Sequence, residues 1–164
     1  MPLRYAYNTN GCAHHRLDDA LDLIAESGYD GVALTLDWHH LDVTADDYEV
    51  QAWHLADGLR ARGLGLVVET GARFLLDPRR MHEPTLMSPD PEGRQRRLDV
   101  LTRALDVCAA CKGETVSFWS GPVRDGVSEA QAWAWLEDGV AALVERAETR
   151  GVTASFEPEP GHLT

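Results

Sequence analysis

The sequence has no long apolar run and little positive charge. No stretch approaches the roughly 18 consecutive apolar residues of a membrane-spanning helix, and residues 1–7 lack the basic-then-apolar order of a signal peptide. We therefore expect a cytoplasmic protein. With 15 Lys and Arg against 27 Asp and Glu, the formal net charge is −12. Such a charge disfavours binding to nucleic acids or anionic membranes, and we predict neither as a partner.

Cysteine is also scarce. The sequence has three, Cys12, Cys108 and Cys111, which cannot all pair with one another. Cys108 and Cys111 have the spacing of a redox or zinc motif, but they lie at the end of a predicted helix, and no second pair completes a four-ligand zinc site. We predict that they are small buried residues.

The sequence does contain a regular alternation of short apolar runs and longer amphipathic runs, the pattern of repeated βα units. The predicted strands are residues 4–8, 31–36, 65–70, 115–119 and 153–157. The predicted helices are residues 17–27, 45–62, 92–111 and 128–150. The 164 residues, 44% of them hydrophobic, suffice for one domain with a sizeable core.

This α/β pattern suits either an open doubly wound sheet or the first part of an eight-stranded barrel. The first βα turn, residues 8–14, lacks the glycine-rich phosphate cradle of nucleotide-binding folds. A complete barrel takes about 250 residues, so we predict a partial TIM (β/α)8 barrel: the N-terminal part of one domain, with five strands and four helices. The strands end in polar or aromatic groups, as a barrel mouth requires: Asn8, Asp37 with Trp38 and His39, Glu69, Trp119 with Ser120, and Glu157.

Four stretches, in this order and spacing, resemble the xylose isomerase-like TIM barrels, also called the sugar phosphate isomerase/epimerase or apurinic endonuclease family 2 superfamily. Residues 21–32 lead into the second strand, and residues 86–94 open the third helix. Residues 109–116 enter the fourth strand, and residues 156–158, Phe-Glu-Pro, end the fifth. The resemblance covers the whole chain.

The resemblance implies a metal-dependent isomerase or epimerase that acts on a small polyhydroxy carbonyl compound. The family's divalent ion is Mn²⁺, Mg²⁺, Co²⁺ or Zn²⁺, and its first ligand is a glutamate at the position of Glu157, which can also act as acid or base. The other expected ligands, an aspartate, a histidine and a second glutamate, belong to a half of the barrel that this sequence does not contain. Such chemistry needs a base to take a proton next to the carbonyl and a cation to stabilise the resulting enediolate. Isomerisation, epimerisation and dehydration all remain open.

Glu69 and Trp119 are candidate substrate-binding residues at strand ends. Glu69 ends the third strand, where the family places substrate groups; the alternative is a buried carboxylate paired with an arginine such as Arg73. Trp119 is suited to stacking on the apolar face of a sugar or, equally, to packing in the barrel core.

His82 and Glu159 are further candidate substrate-binding residues. His82 lies in the longest loop, residues 71–91, the best candidate for a lid. Glu159 follows Glu157 by two residues and can face the same way or be solvated beyond the strand.

Two histidine pairs, His14 with His15 and His39 with His40, follow the first two strands. Because adjacent side chains are expected to point apart, we do not predict that either pair chelates a metal. A contact of one member of each pair with substrate or metal remains a hypothesis.

Two alternative functions stay open. A zinc-dependent apurinic endonuclease would need a basic DNA groove and histidines at the strand ends occupied by Glu69 and Trp119. A half-barrel would be stable only by pairing with a second copy or another chain, because its first and fifth strands have unpaired edges. We therefore predict self-association, and metal affinity far below that of a complete family member.

Overall fold

The computed structural model describes residues 3–164, so Met1 and Pro2 of the N-terminal sequence considered above lie outside the described residues. The described strands are β1 (Ala6–Asn8), β2 (Gly31–Thr35), β3 (Gly65–Glu69), β4 (Thr115–Phe118) and β5 (Thr153–Phe156). The α-helices are α1 (Leu17–Glu26), α2 (Tyr48–Arg62), α3 (Pro91–Ala110) and α4 (Glu129–Arg150), and a short 3₁₀ helix, Thr9–Cys12, follows β1. None of these described helices is both long enough and apolar enough to cross a membrane.

The five described strands form one parallel sheet in the order β1-β2-β3-β4-β5. Each strand pairs with the next along the chain, from β1 with β2 to β4 with β5. A doubly wound sheet reverses its strand order at a switch point, whereas the wall of a barrel does not. The architecture is therefore a partial TIM barrel, as predicted.

The two faces of the sheet differ in chemistry. The face beneath the helices is apolar, and its central side chains are at most 5% exposed: Val32, Leu34, Leu66, Val68, Val116 and Phe118. Because side chains alternate along a strand, the intervening residues lie on the opposite face, here called the inner face, which lines the interior in a complete barrel. Small and polar residues predominate on the inner face: Ala33, Thr35, Val67, Glu69, Ser117 and Ser155.

Helix α2 begins at Tyr48, three residues later than predicted. The carboxylate of Asp42 accepts hydrogen bonds from the backbone N–H of Thr44 at 2.8 Å and from its hydroxyl at 2.6 Å. These bonds hold the segment before the helix in a turn. At its other end α2 stops at Gly63, which adopts the left-handed conformation with φ 66°.

The three cysteines are free thiols. Cys12 and Cys108 are buried and Cys111 is half-buried. The predicted burial is therefore confirmed for Cys108 and is only partial for Cys111. Burial raises the pKa of the Cys108 thiol to about 11 and that of Cys111 to about 12. Both thiols are therefore protonated and unreactive at neutral pH.

Candidate active site

The carboxyl ends of β2, β3 and β4 bring three polar side chains together on the inner face. The register pairs Thr35 with Glu69, and Glu69 with Ser117. Residues paired in a parallel sheet point to the same side. Glu157, the first residue after β5, joins this row because the Ser117 hydroxyl donates a 2.9 Å hydrogen bond to Glu157 Oε2.

Both oxygens of Glu69 are held by hydrogen bonds. The buried Thr35 hydroxyl donates to Oε2 at 2.7 Å, and the backbone N–H of Gly71 donates to Oε1 at 2.6 Å. A Cβ atom at position 71 would lie well inside van der Waals distance of Oε1, so any larger residue there would have to displace the Glu69 carboxylate. The ion pair with Arg73 considered from the sequence is not formed among the described residues.

Arg97, on α3, supplies a buried positive charge that the sequence reasoning missed. Its side chain is 4% exposed, and its guanidinium carbon lies 4.7 Å from the centre of the Trp119 ring. Burial lowers the pKa of Arg97 to about 10, against the opposing influence of Glu69 and Glu83. Its Nη2 atom has no hydrogen-bond partner within residues 3–164. The sequence signal was its position one turn before the buried Leu101 on the apolar stripe of α3.

Trp119 and His82 are brought together by the structure. Trp119 is 7% exposed, as the core alternative expected, and the His82 ring packs nearly perpendicular to it with ring centres 4.8 Å apart. His162 packs on the same tryptophan at 5.1 Å. Burial lowers the pKa of His82, and the charge of Arg97 lowers it further. Substrate contact by Trp119 and His82 stays a prediction.

Glu157 and Glu159 are both exposed, but they have different surroundings. The backbone N–H of Glu157 continues the β4–β5 ladder by donating to Phe118 O at 2.8 Å, and its side chain joins the polar row. Glu159 donates its backbone N–H to Thr164 O at 3.1 Å, and its carboxylate makes no hydrogen bond within the described part of the chain. The structure therefore places Glu157, but not Glu159, beside Ser117. The roles predicted for the two residues remain predictions.

The surroundings of Glu157 fit a ligand of a hard divalent cation. Its Oε2 is oriented by the Ser117 hydroxyl, and Oε1 has no hydrogen bond to any described residue. Carboxylate oxygens of this kind are the donors that Mg²⁺ and Mn²⁺ prefer.

The prediction that adjacent histidine side chains point apart is wrong for His39 and His40, whose ring centres lie 4.2 Å apart. Asp37 Oδ1 accepts hydrogen bonds from the backbone N–H groups of both histidines, each at 3.2 Å. This turn folds the two rings toward each other. The side chains of His14 and His15 are exposed. The backbone carbonyl of His15 lies 3.3 Å from His40 Nε2.

The fold defines a protein of the TIM-barrel class, and the polar strand ends are candidate site residues at the carboxyl edge of the sheet. Residues 21–164 match the family model of the xylose isomerase-like TIM barrel, and the chain belongs to that family. A search among curated proteins finds no significant match.

Solved structures share this fold at low sequence identity. A putative xylose isomerase from Rhodospirillum rubrum aligns with a TM-score of 0.79 and 20% identity over 97% of this chain and 55% of its own. A D-tagatose 3-epimerase-like protein aligns with a TM-score of 0.78 and 14% identity over 96% of this chain and 54% of its own. A 3-keto-D-glucoside 4-epimerase from E. coli aligns with a TM-score of 0.76 and 13% identity over 98% of this chain and 58% of its own. The chain thus spans between half and three fifths of their length.

Proposed function

We propose that this chain contributes Glu157 and Glu69 to the active site of a metal-dependent sugar isomerase or epimerase. One observation supports this most directly: both carboxylates lie at strand ends on the inner face, and each accepts a hydrogen bond from a hydroxyl on the preceding strand. Catalytic groups of TIM barrels occupy this edge. Solved relatives of the same fold are described as sugar epimerases. The cytoplasmic location expected from the sequence stays a prediction.

In this proposal Glu157 is one ligand of a divalent cation. The cation would stabilise the negative charge that develops on a substrate oxygen when a proton leaves the adjacent carbon. Ser117 orients the Glu157 carboxylate by donating to Oε2. Within residues 3–164, the Glu157 carboxylate contacts only the Ser117 hydroxyl by hydrogen bonding, so the other ligands of the cation are not among its described partners.

Glu69 is proposed to position the substrate. Thr35 and Gly71 each hold one oxygen of its carboxylate. Each oxygen keeps a lone pair that can accept a hydrogen bond from a polyhydroxy compound. Strands β3 and β5 are two strand spacings apart, about 9–10 Å, a span that suits a small sugar between Glu69 and Glu157. Trp119, His82 and Glu159 are proposed as further substrate contacts.

Exchange of substrate protons with solvent tests the proposal. The chain is incubated with Mn²⁺ and D-tagatose, D-psicose or L-ribulose in deuterium oxide, and NMR follows deuterium incorporation next to the carbonyl. Because Glu157 is one ligand of several, we expect slow exchange by the wild type at millimolar Mn²⁺, and at least about a tenfold loss of that rate in Glu157→Gln. Glu148→Gln, an exposed glutamate on α4, is the matched control and should retain the wild-type rate. No exchange by the wild type, or full exchange by Glu157→Gln, would contradict the proposal.

The endonuclease alternative is less well supported. Glu69 and Trp119 occupy the strand ends where it needs histidines, and the net charge of −12 disfavours DNA. Cleavage of an abasic-site duplex with added Zn²⁺ would favour it over the isomerase.

A second candidate function is structural association. The outermost strands β1 and β5 have no fully buried residue. Most inner-face side chains between them are only partly buried: Ala33, Val67, Glu69, Thr115 and Ser117. We propose that a second copy of the chain covers the edges of β1 and β5, because unpaired strand edges favour pairing with another chain.

A further inference from the structure

We propose that Asp37, His39 and His40, here called the β2 cluster, form a separate binding site for a zinc-type divalent cation. The cluster follows the carboxyl end of β2 and shares no ligand with Glu157. One donor atom from each of the three residues lies within 4.8 Å of the other two.

Two of the three donor groups are already in contact, and both imidazole rings keep nitrogens without a hydrogen bond within the described chain. His39 Nδ1 lies 2.8 Å from Asp37 Oδ1, yet neither ring nitrogen of His39 has an aligned hydrogen bond within residues 3–164. Zinc bonds of about 2.0–2.2 Å place tetrahedral ligands about 3.3–3.6 Å apart. Small side-chain movements in the turn therefore bring the three donors to coordination distance.

His40 is oriented as metal-binding histidines usually are. It is 8% exposed, and its Nε2–H donates to the backbone carbonyl of His15 at 3.3 Å. That bond fixes the tautomer and leaves a lone pair on Nδ1, an arrangement typical of metal-ligating histidines. Nδ1 is buried without a hydrogen-bond partner in the described chain, which is costly unless something binds it.

Asp37 holds the turn together and still has a free oxygen. Its Oδ1 accepts the backbone N–H groups of His39 and His40, while Oδ2 has no hydrogen bond to a described residue. Asp37 can therefore contribute a carboxylate to a cation without releasing the turn that positions both imidazoles.

The donor set selects the ion. Two imidazole nitrogens and one carboxylate oxygen suit Zn²⁺, whereas Mg²⁺ and Mn²⁺ prefer all-oxygen sites. Three protein ligands leave a fourth tetrahedral position for water or a small ligand. The β2 cluster therefore differs in metal preference from Glu157.

Calorimetric titration of the full chain with Zn²⁺ alone tests the site, and circular dichroism verifies the fold of each variant. We expect one zinc ion per chain and an increase in Tm on binding. Asp37→Asn keeps an acceptor for both backbone N–H groups but removes the charge, and His39→Ala removes one imidazole. Each should weaken zinc binding by at least about tenfold. His54→Ala, an exposed histidine on α2, is the matched control and should bind like the wild type.

Glu157→Gln separates this site from the proposed active site. Unchanged zinc affinity in Glu157→Gln, with loss in Asp37→Asn and His39→Ala, supports the β2 cluster whether or not the chain has isomerase activity. Absence of zinc binding by the wild type would overturn the inference. The inference would also be overturned if folded Asp37→Asn and His39→Ala bound zinc with wild-type affinity, or if only Glu157→Gln lost zinc binding.

Discussion

Ser117 and Glu157 are joined by a 2.9 Å hydrogen bond from the serine hydroxyl to the glutamate carboxylate, across the boundary between β4 and the end of β5. Thr35 and Glu69 repeat this relationship between β2 and β3 at 2.7 Å. In each case a hydroxyl on one strand orients the carboxylate at the end of the next. Parallel register, rather than local sequence, therefore assembles the proposed site.

Replacing Thr35 with valine should destabilise the protein. The buried Thr35 hydroxyl donates to a charged carboxylate, and loss of such a bond leaves Glu69 less satisfied. We expect the free energy of unfolding in urea to fall by about 1.5–3 kcal/mol. Thr149→Val, at an exposed threonine on α4 outside the proposed association surface, should change the free energy of unfolding by less than about 0.5 kcal/mol. Equal values for the two variants would show that the Thr35–Glu69 bond contributes little.

His82 should make stability depend on pH. Burial holds its pKa in the folded chain below 6.5, with Arg97 and His162 acting in the same direction. As the pH falls through about 6.5, the unfolded chain binds a proton that the folded chain does not. The free energy of unfolding should therefore decrease over this range and level off below the folded-state pKa. His82→Gln should reduce the slope, and the exposed-site variant His54→Gln should retain it; equal slopes in all three proteins would contradict the assignment.

Much of the fold was predictable because periodicity and caps are local signals. The alternation of apolar runs predicted every described strand and α-helix, and the strand ends singled out Glu69 and Glu157. Thr35, Ser117 and Arg97 were missed because their roles depend on segments distant in sequence. The Asp37 turn was missed because a single Asx-type contact reverses the usual divergence of neighbouring side chains.

The thiols of Cys108 and Cys111 should react slowly in the folded protein. With pKa values raised to about 11 and about 12 by burial, the thiolate fraction at about pH 8 is more than a hundredfold below that of a free cysteine. Peptide mapping after iodoacetamide treatment should find both largely unmodified in native protein and modified in urea. Rapid native labelling at either position would contradict the burial described above.

Residues 1–164 on their own should self-associate through the inner face and the edges of β1 and β5. An inward-pointing charge opposes such association, so Thr153→Lys with Ser155→Lys should shift the chain toward monomer in light scattering. Thr149→Lys, on the exposed outer surface of α4, should leave the oligomeric state unchanged. A wild type that is monomeric at all concentrations would refute the association proposal.

The most direct measurement of the central claim is paramagnetic broadening of the NMR spectrum by Mn²⁺, because it locates a bound ion without requiring activity. If Glu157 is a metal ligand at the carboxyl edge of the sheet, millimolar Mn²⁺ will broaden the amide signals of Ser117 and Glu157. That broadening will disappear in Glu157→Gln and persist in Asp37→Asn. Broadening that survives in Glu157→Gln, or that is centred on Asp37 and His40 instead, would contradict the account.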